Sequence, residues 1–474
     1  MPQTFPLSPV AIPLTARTRG AVPIAPIDPK TLAAWLKTAP ARSKRWARTM
    51  DFRAEAGAVL ALPGSDGRIA RVLFAQTNES DPWDYAQLSA KLPPGTYRLE
   101  GGPKKDVANA AALGWALAAY SFDRYRDGKK NASAAVLVWP EAADRAAVTR
   151  TVEATFLVRD LVNTPANDLG PGELAAAARA LARRHGARMT EIVGEALLKK
   201  GYPAIHMVGR AATPKRAPRL IDFTWGRPGA PKITLVGKGV CFDSGGLDLK
   251  PSANMKLMKK DMGGAAHALG LAHMAMAAKL DVRLRVLIPA VENSVSGDSM
   301  RPLDVVRTRK GFTVEIGNTD AEGRVILADA LAEAAGERPA MIVDFATLTG
   351  AARAALGPDL PALFCNDDAV AEALLKSAKS AADPLWRLPL WAPYGKQIEG
   401  KTADLTNAPE SAHAGAITAA LFLERFVEPS IPWIHLDLMA WNTASRPGRP
   451  EGGEAMGLRA LFGLLKDRFG SLSR

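Results

Sequence analysis

Ile233-Thr234-Leu235-Val236-Gly237-Lys238-Gly239-Val240-Cys241-Phe242-Asp243-Ser244-Gly245-Gly246 decides the fold. Four apolar or β-branched residues in an unbroken run read as a strand buried on both faces. The glycines that follow predict a turn at the strand's carboxyl end, carrying Lys238 and Asp243. Similar runs recur at Leu284–Ala290, Met341–Phe345 and Trp433–Leu436. Helical patterns separate them: Glu173–His185, Gly263–Ala278, Val325–Gly336 and Ile417–Phe426. Continuous apolar strands alternating with helices predict an α/β catalytic domain with a mostly parallel central sheet covered by helices. Ligands on such sheets gather outside the strands' carboxyl ends, so the chemistry is sought there.

Upstream, the elements are smaller. Residues 1–30 are proline-rich and read as extended. Residues 31–48 predict a short amphipathic helix with Trp35, Leu36 and Trp46 among basic residues. Strands at Gly57–Leu62, Ile69–Phe74 and Ala134–Val138, with a helix at Val107–Tyr120, predict a small N-terminal α/β domain. The expected division is residues 1–143, a connector helix over 144–165, and a catalytic domain over 166–474. At about 150 residues per domain, 474 residues fit two to three domains.

Composition excludes several classes. A hydrophobic content of 47% argues against a chain that is mainly disordered. Two cysteines, Cys241 and Cys365, cannot build a disulfide scaffold and fit a reducing compartment. No apolar run reaches the roughly 18 residues of a membrane span. Arg17 and Arg19 follow the apolar part of the N-terminus, the reverse of a secretory signal, so a cytoplasmic location is expected. The net charge of +13 is concentrated early, with Arg42, Lys44, Arg45 and Arg48 close together. Such a segment could attract nucleic acid, but a solvated basic face is the simpler reading.

Three nucleotide or nucleophile motifs fail. A dinucleotide fingerprint at Gly237 needs glycine at position 242, which is Phe. Ser244 lacks the G-x-S-x-G elbow. Gly395 to Thr402 formally matches a phosphate loop, but Pro393 argues against the strand it needs, and Ala403 to Pro409 is too turn-like for the helix. The positive signal is acidic. Asn318-Thr319-Asp320-Ala321-Glu322-Gly323-Arg324 lies between strand-like Thr313–Ile316 and a helix, and Asp261 is expected to open another helix. A helix cap explains the acids but not Arg324, which opposes the helix dipole and suits an anion site instead. Asp243, Asp261, Asp320 and Glu322 gathered in one pocket would repel each other unless cations bind. Two divalent ions about 3.5–4 Å apart fit that charge, with Lys238 able to supply a nitrogen ligand. His267 and His273 sit in an Ala/Leu/Met helix and read as packing residues.

Together VGKGVCFDSGG, LKPSANMKLMKKDMGGAAHALG, NTDAEGRVILADAL and DFATLTGA resemble the leucine aminopeptidase (cytosol aminopeptidase) family of two-metal exopeptidases. The resemblance runs from about Leu157 to Leu465, with weaker support from LVNTPANDLGP at 161–171 and GAITAALFLERF at 415–426. It implies that Lys238, Asp243, Asp261 and Glu322 hold a tighter metal, and Asp243, Asp320 and Glu322 an exchangeable one. The cofactors implied are two divalent ions, Zn or Mn, and bicarbonate. Lys250 would polarise the scissile carbonyl and Arg324 would hold the bicarbonate as proton shuttle, while a metal-activated hydroxide attacks. Met258, Thr347 and Gly350 would line the side-chain pocket and Leu348 would contact substrate through its backbone. The implied activity is release of leucine and other mainly apolar N-terminal residues from peptides, by a homohexamer. Lys260 before Asp261, and Leu303, depart from the family pattern without touching a ligand position. A two-metal phosphoesterase, a nucleic-acid-binding protein and a catalytically dead scaffold are the competing readings, and none accounts for the whole motif set.

Overall fold

The computed structural model describes residues 12–126 and 135–470. Two compact units emerge, residues 9–156 with 444–451 and residues 157–443 with 452–474, and the boundary falls inside the helix Arg145–Asn163. The expected segment at residues 1–11 and the first residue of the strand expected at Ala134 lie outside the described residues.

The first unit holds a six-stranded sheet. Its order in space is Leu14–Thr15, Ala135–Val138, Gly95–Leu99, Val22–Ile27, Ile69–Ala75 and Val59–Pro63, parallel throughout except for the last pair. Phe74, Tyr85, Tyr97 and Trp115 fill its core. The single helix expected over 31–48 is two, Pro29–Thr38 and Ala41–Thr49. Pro40 lacks the N–H that a continuous helix needs and starts the second helix instead. Arg42, Arg45 and Arg48 are exposed on that second helix.

The second unit is built on the predicted parallel strands. Arg283–Asn293, Lys232–Gly237, Met341–Ala346 and Trp433–Asp437 lie side by side in that order, all parallel. Antiparallel strands flank them, Arg219–Trp225 and Arg188–Val193 on one side and Ala362–Cys365 on the other. Arg219–Trp225 and Arg188–Val193 are half-polar, and Ala362–Cys365 is apolar but only four residues long, which is why the sequence pattern passed over them. Helix Gly263–Ala277 packs on the central strands and is buried at every position from Gly263 to Met276. A helix apolar all round has no amphipathic stripe because it has no solvent face. Helix Glu322–Gly336 contacts Lys232–Gly237, Arg283–Asn293 and Met341–Ala346, as Gly263–Ala277 does.

The glycine-rich segment turns only at its end, at Gly245 and Gly246. Lys232–Gly237 is followed at once by a second strand, Gly239–Asp243, which pairs in parallel with the far end of Arg283–Asn293. Lys238 sits at the break, donating its backbone N–H to Phe345 O at 2.9 Å. A Cβ at Gly237 would come within 2.6 Å of Ala265 Cα, so the helix can approach this closely only over glycine. A second difference concerns the NTDAEGR segment. Its preceding strand, Thr313–Glu315, belongs to a separate three-stranded sheet with Val305–Arg307 and Leu405–Thr406. Residues 395–402 begin in a 3-10 turn, Ala392–Ile398, and have neither the strand before nor the helix after that a phosphate loop requires.

One buried polar contact ties the central strands. Asp344 is fully buried and accepts from Trp433 Nε1 at 2.6 Å, while His435 Nδ1 lies 2.6 Å from its other oxygen. Removing the carboxylate strands two buried donors. Asp344→Ala is therefore expected to destabilise this unit by about 3–5 kcal/mol, read as a lowered urea midpoint; an unchanged midpoint would show that the contact contributes nothing.

Candidate active site

Three chain segments converge on one acidic cluster. Asp243 ends the strand Gly239–Asp243. Asp261 lies in the 3-10 turn Met258–Met262, just ahead of the buried helix rather than at its first residue as expected. Asp320 precedes the helix Glu322–Gly336, and Glu322 is its first residue. Oxygens of Asp243, Asp320 and Glu322 lie within 4.8 Å of one another, a spacing that could hold a metal ion. Asp243, Asp261 and Glu322 are each 1–2% exposed.

Two lysines reach the cluster from different sides. Lys238 Nζ is 2.7 Å from Asp261 Oδ2 and 2.9 Å from Glu322 Oε1. Lys250 Nζ is 2.9 Å from Asp243 Oδ2 and also pairs with Asp320. A Cβ on Gly323 would sit 2.4 Å from Lys238 Cε. Glycine at that position is what lets the Lys238 side chain run past the helix start to the carboxylates. Asp261 Oδ2, Asp320 Oδ1 and Glu322 Oε1 accept no well-directed hydrogen bond; each is met by a lysine ammonium alone among the described residues.

The electrostatics follow from burial and crowding. Burial, then the charge of Asp243, raises Glu322 well above the usual carboxylate range and Asp320 to about 6. Burial opposes charge on Lys238, yet Asp261, Glu322 and Asp243 together hold its pKa above normal. Four carboxylates against two ammonium groups leave an excess of negative charge in a nearly dry space. That is a strong attraction for divalent cations, and their binding would expel the Lys238 proton and free its nitrogen. The donor set of carboxylate oxygens plus one amine fits Mn or Zn.

Supporting residues from inside and outside the motifs hold the carboxylates in place. Asn293 donates to Asp243 Oδ1 at 2.9 Å and to Thr319 O at 3.1 Å. Thr347 Oγ1 donates to Asp261 Oδ1 at 2.7 Å. Asp248 accepts from Thr319 N at 2.7 Å, locking the Lys250 loop to the acidic turn. Asn407 accepts from the backbone N–H groups of Gly317 and Asn318 and donates to Asn318 O and Ala321 O. Asn293, Asn407 and Asp437 come from segments with no motif of their own, so nothing in the sequence singles them out. Asp437 accepts from Leu348 N at 3.0 Å and from Thr349, fixing the backbone of that loop.

Arg324 is buried and its Nη1 donates to Asn407 O at 2.7 Å, while its Nε has no hydrogen-bond partner among the described residues. Burial lowers its pKa to about 10, against the opposing pull of Glu322 and Asp437. Lys238, Asp243, Lys250, Asp261, Asp320 and Arg324 open onto one cleft of about 540 Å³, and Met258, Thr347, Leu348 and Gly350 line the same cleft. Every site residue expected from the sequence is thus brought together, with Glu322 lying directly against Lys238. Lys260, read from the sequence only as a departure from the family pattern, also lines the cleft. Its amine is fully buried, and burial followed by the charge of Arg353 lowers its pKa to about 7. His267 and His273 are buried packing residues, His267 accepting from Met456 N at 2.9 Å.

The catalytic-domain model of the cytosol aminopeptidase family matches residues 156–462, and the N-terminal domain model of the M17 aminopeptidases matches residues 22–140. The chain belongs to the cytosol aminopeptidase family. A probable cytosol aminopeptidase of Bradyrhizobium is 38% identical over 451 residues, 90% of each chain, and one of Caulobacter vibrioides is 41% identical over 388 residues, 78% of each. The crystal structure of the cytosol aminopeptidase from Coxiella burnetii superposes with a TM-score of 0.92 at 50% identity, covering 96% of this chain and 99% of that one. The bottromycin maturation enzyme BotP in complex with Mn gives 0.83 at 35% identity, covering 94% and 99%. Family membership makes the chain a hydrolase of the aminopeptidase class, and the acidic cluster is consistent with a divalent-metal site. Among the described residues, no helix is long and apolar enough to cross a membrane.

Because the Lys238 side chain fits only over Gly323, Gly323→Ala is expected to displace it and to lower bound divalent metal in the purified protein, measured by plasma emission. Metal content equal to wild type would show that Lys238 placement does not govern the site.

Proposed function

We propose that this chain releases the first amino acid from peptides bearing a free α-amine, using a two-metal site. The observation that carries the reading is the meeting of Asp243, Asp320 and Glu322 within 4.8 Å, with lysines on either side. Lys238, Asp243, Asp261 and Glu322 would hold one ion and Asp243, Asp320 and Glu322 the other, Zn or Mn in each case. Bound ions supply Lewis acidity and lower the pKa of water toward neutrality. The roles left to the chain's own side chains are positioning and proton handling. Lys250, released from its carboxylate partners when their charge is neutralised, points its ammonium at the scissile carbonyl and stabilises the oxyanion that develops there. Among the described residues that line the cleft, no further carboxylate and no histidine remains to serve as general base. The unpaired Nε–H of Arg324 and the start of the helix Glu322–Gly336 fit a small anion, and bicarbonate there supplies a proton acceptor. The acidic cluster favours a cationic amine at the end of the substrate, which restricts release to the first residue. Met258, Leu257 and Met439 line the cleft and support acceptance of leucine and other apolar side chains. Thr347, Leu348 and Gly350 lie beside them, Leu348 offering backbone contacts to the substrate. The reading extends, on the family resemblance, to a homohexamer working in the cytoplasm.

The direct test compares a leucine anilide with its N-acetylated form, with Mn or Zn present and after chelation. Cleavage of the free-amine form alone, abolished by chelation and restored by metal, is expected; equal cleavage of both forms, or activity that survives chelation, contradicts the proposal. Lys250→Ala should lower kcat by roughly 10²–10³ with metal retained, and an unchanged kcat would remove Lys250 from the reaction. Arg324→Ala should lose both rate and the response to added bicarbonate. A variant that still responds to bicarbonate as wild type does would place the anion elsewhere.

A further inference from the structure

The cleft carries two cations that the reaction does not use. Lys260, in the turn Met258–Met262, is 1% exposed and lines the cleft. Among the described residues no hydrogen bond or ion pair engages its ammonium. Its two acidic neighbours are occupied elsewhere. Asp261 is directed to Lys238 at 2.7 Å and to Thr347 at 2.7 Å. Asp437 accepts from Leu348 N, Thr349 N and Thr349 Oγ1. Arg353 lines the same cleft from the helix Gly350–Leu356, and its Nη1 is buried without a hydrogen-bond partner. Gly350 precedes it by one helical turn and lines the same cleft.

The other three cations of the cleft are all engaged: Lys238 and Lys250 with carboxylates, Arg324 with Asn407 O. Lys260 and Arg353 are the pair left over. Two like charges held together in a largely buried wall are costly unless a negative group joins them. An arginine fork and an ammonium are the donors that a carboxylate takes best. The cleft lining also includes the aliphatic or small Leu257, Met258, Ala351 and Met439. An apolar wall ending in cations matches a side chain made of methylene groups ending in a carboxylate.

We propose that Lys260 and Arg353 form the carboxylate-binding end of the side-chain pocket, so that peptides beginning with glutamate or aspartate are better substrates than those beginning with leucine. The inference rests on the aminopeptidase reading and on the pocket lying beside Met258, Thr347 and Gly350. It goes beyond that reading by naming the substrate class. Leucine satisfies the aliphatic wall and leaves both cations unpaired, whereas an acidic side chain satisfies both.

The test is kcat/KM for glutamyl, aspartyl and leucyl p-nitroanilides with the metal-loaded wild type, Lys260→Met and Arg353→Met. Anilides carry no C-terminal carboxylate, so any acidic preference comes from the first side chain. An acidic substrate should exceed leucyl in the wild type, and each substitution should cut the acidic-to-leucyl ratio by roughly ten- to a hundredfold. A wild type that prefers leucyl, or ratios unchanged in the variants, overturns the proposal while leaving the aminopeptidase activity standing. If no anilide is cleaved, the aminopeptidase reading fails first. Calorimetric binding of free glutamate and leucine to the metal-loaded protein then decides the pocket: tighter glutamate binding that weakens in the variants supports it, and equal binding overturns it. Should Lys260→Met not fold, Arg353→Met carries the same comparison.

Discussion

Four carboxylates crowded into a nearly dry pocket are the constraint on which the rest of this structure depends. Asp243, Asp261, Asp320 and Glu322 cannot share that space as free anions, because their repulsion is unscreened there. Lys238 and Lys250 offset part of the charge, and the remainder calls for divalent cations. Much of the surrounding architecture can be understood as holding this cluster together. Asn293 and Thr347 fix individual carboxylates, Thr319 and Asp248 lock two loops, and Gly323 clears a path for a lysine. Removing any of these shifts an oxygen that must sit within a few tenths of an ångström of its partners.

The fold meets the constraint by bringing distant segments to one end of a buried sheet. The strands Lys232–Gly237 and Gly239–Asp243 carry Lys238 and Asp243 there in sequence. The helix Gly263–Ala277, sealed on all sides, fixes the turn that holds Asp261. The small sheet containing Thr313–Glu315 delivers Asp320 and Glu322 from another direction. Parallel strands with covered faces leave their carboxyl ends as the place where loops converge, and the loops here are stiffened by mutual hydrogen bonds.

Much of this was legible in the sequence. Lys238, Asp243, Asp261, Asp320 and Glu322 could be grouped because their motifs together resemble one family; taken alone, Asp261 reads as an ordinary acid at a helix start. The parallel strands were legible because each is a continuous apolar run. What escaped detection has physical reasons. Gly237 to Gly246 reads as a turn throughout because glycine usually makes one; here Gly237 serves close packing between a strand and a helix, the chain stays extended to Asp243, and only Gly245 and Gly246 turn, at positive φ. Pro40 divided a helix whose apolar spacing was continuous across it. Asn293, Asn407 and Asp437 act through geometry fixed by tertiary folding, and neither composition nor spacing marks them. Lys260 was legible as a residue but not as part of the cleft, since its burial is set by the packing of the turn around Asp261.

The central claim is that the acidic cluster exists to hold two divalent ions, one of them partly through the nitrogen of Lys238. Titrating Mn²⁺ into metal-free protein by calorimetry, in two buffers of different ionisation enthalpy, tests it most directly. The account predicts two ions bound per chain with protons released on binding, as Lys238 gives up its charge and protonated carboxylates are displaced. Saturation at a single ion, or binding with no proton release, would contradict it.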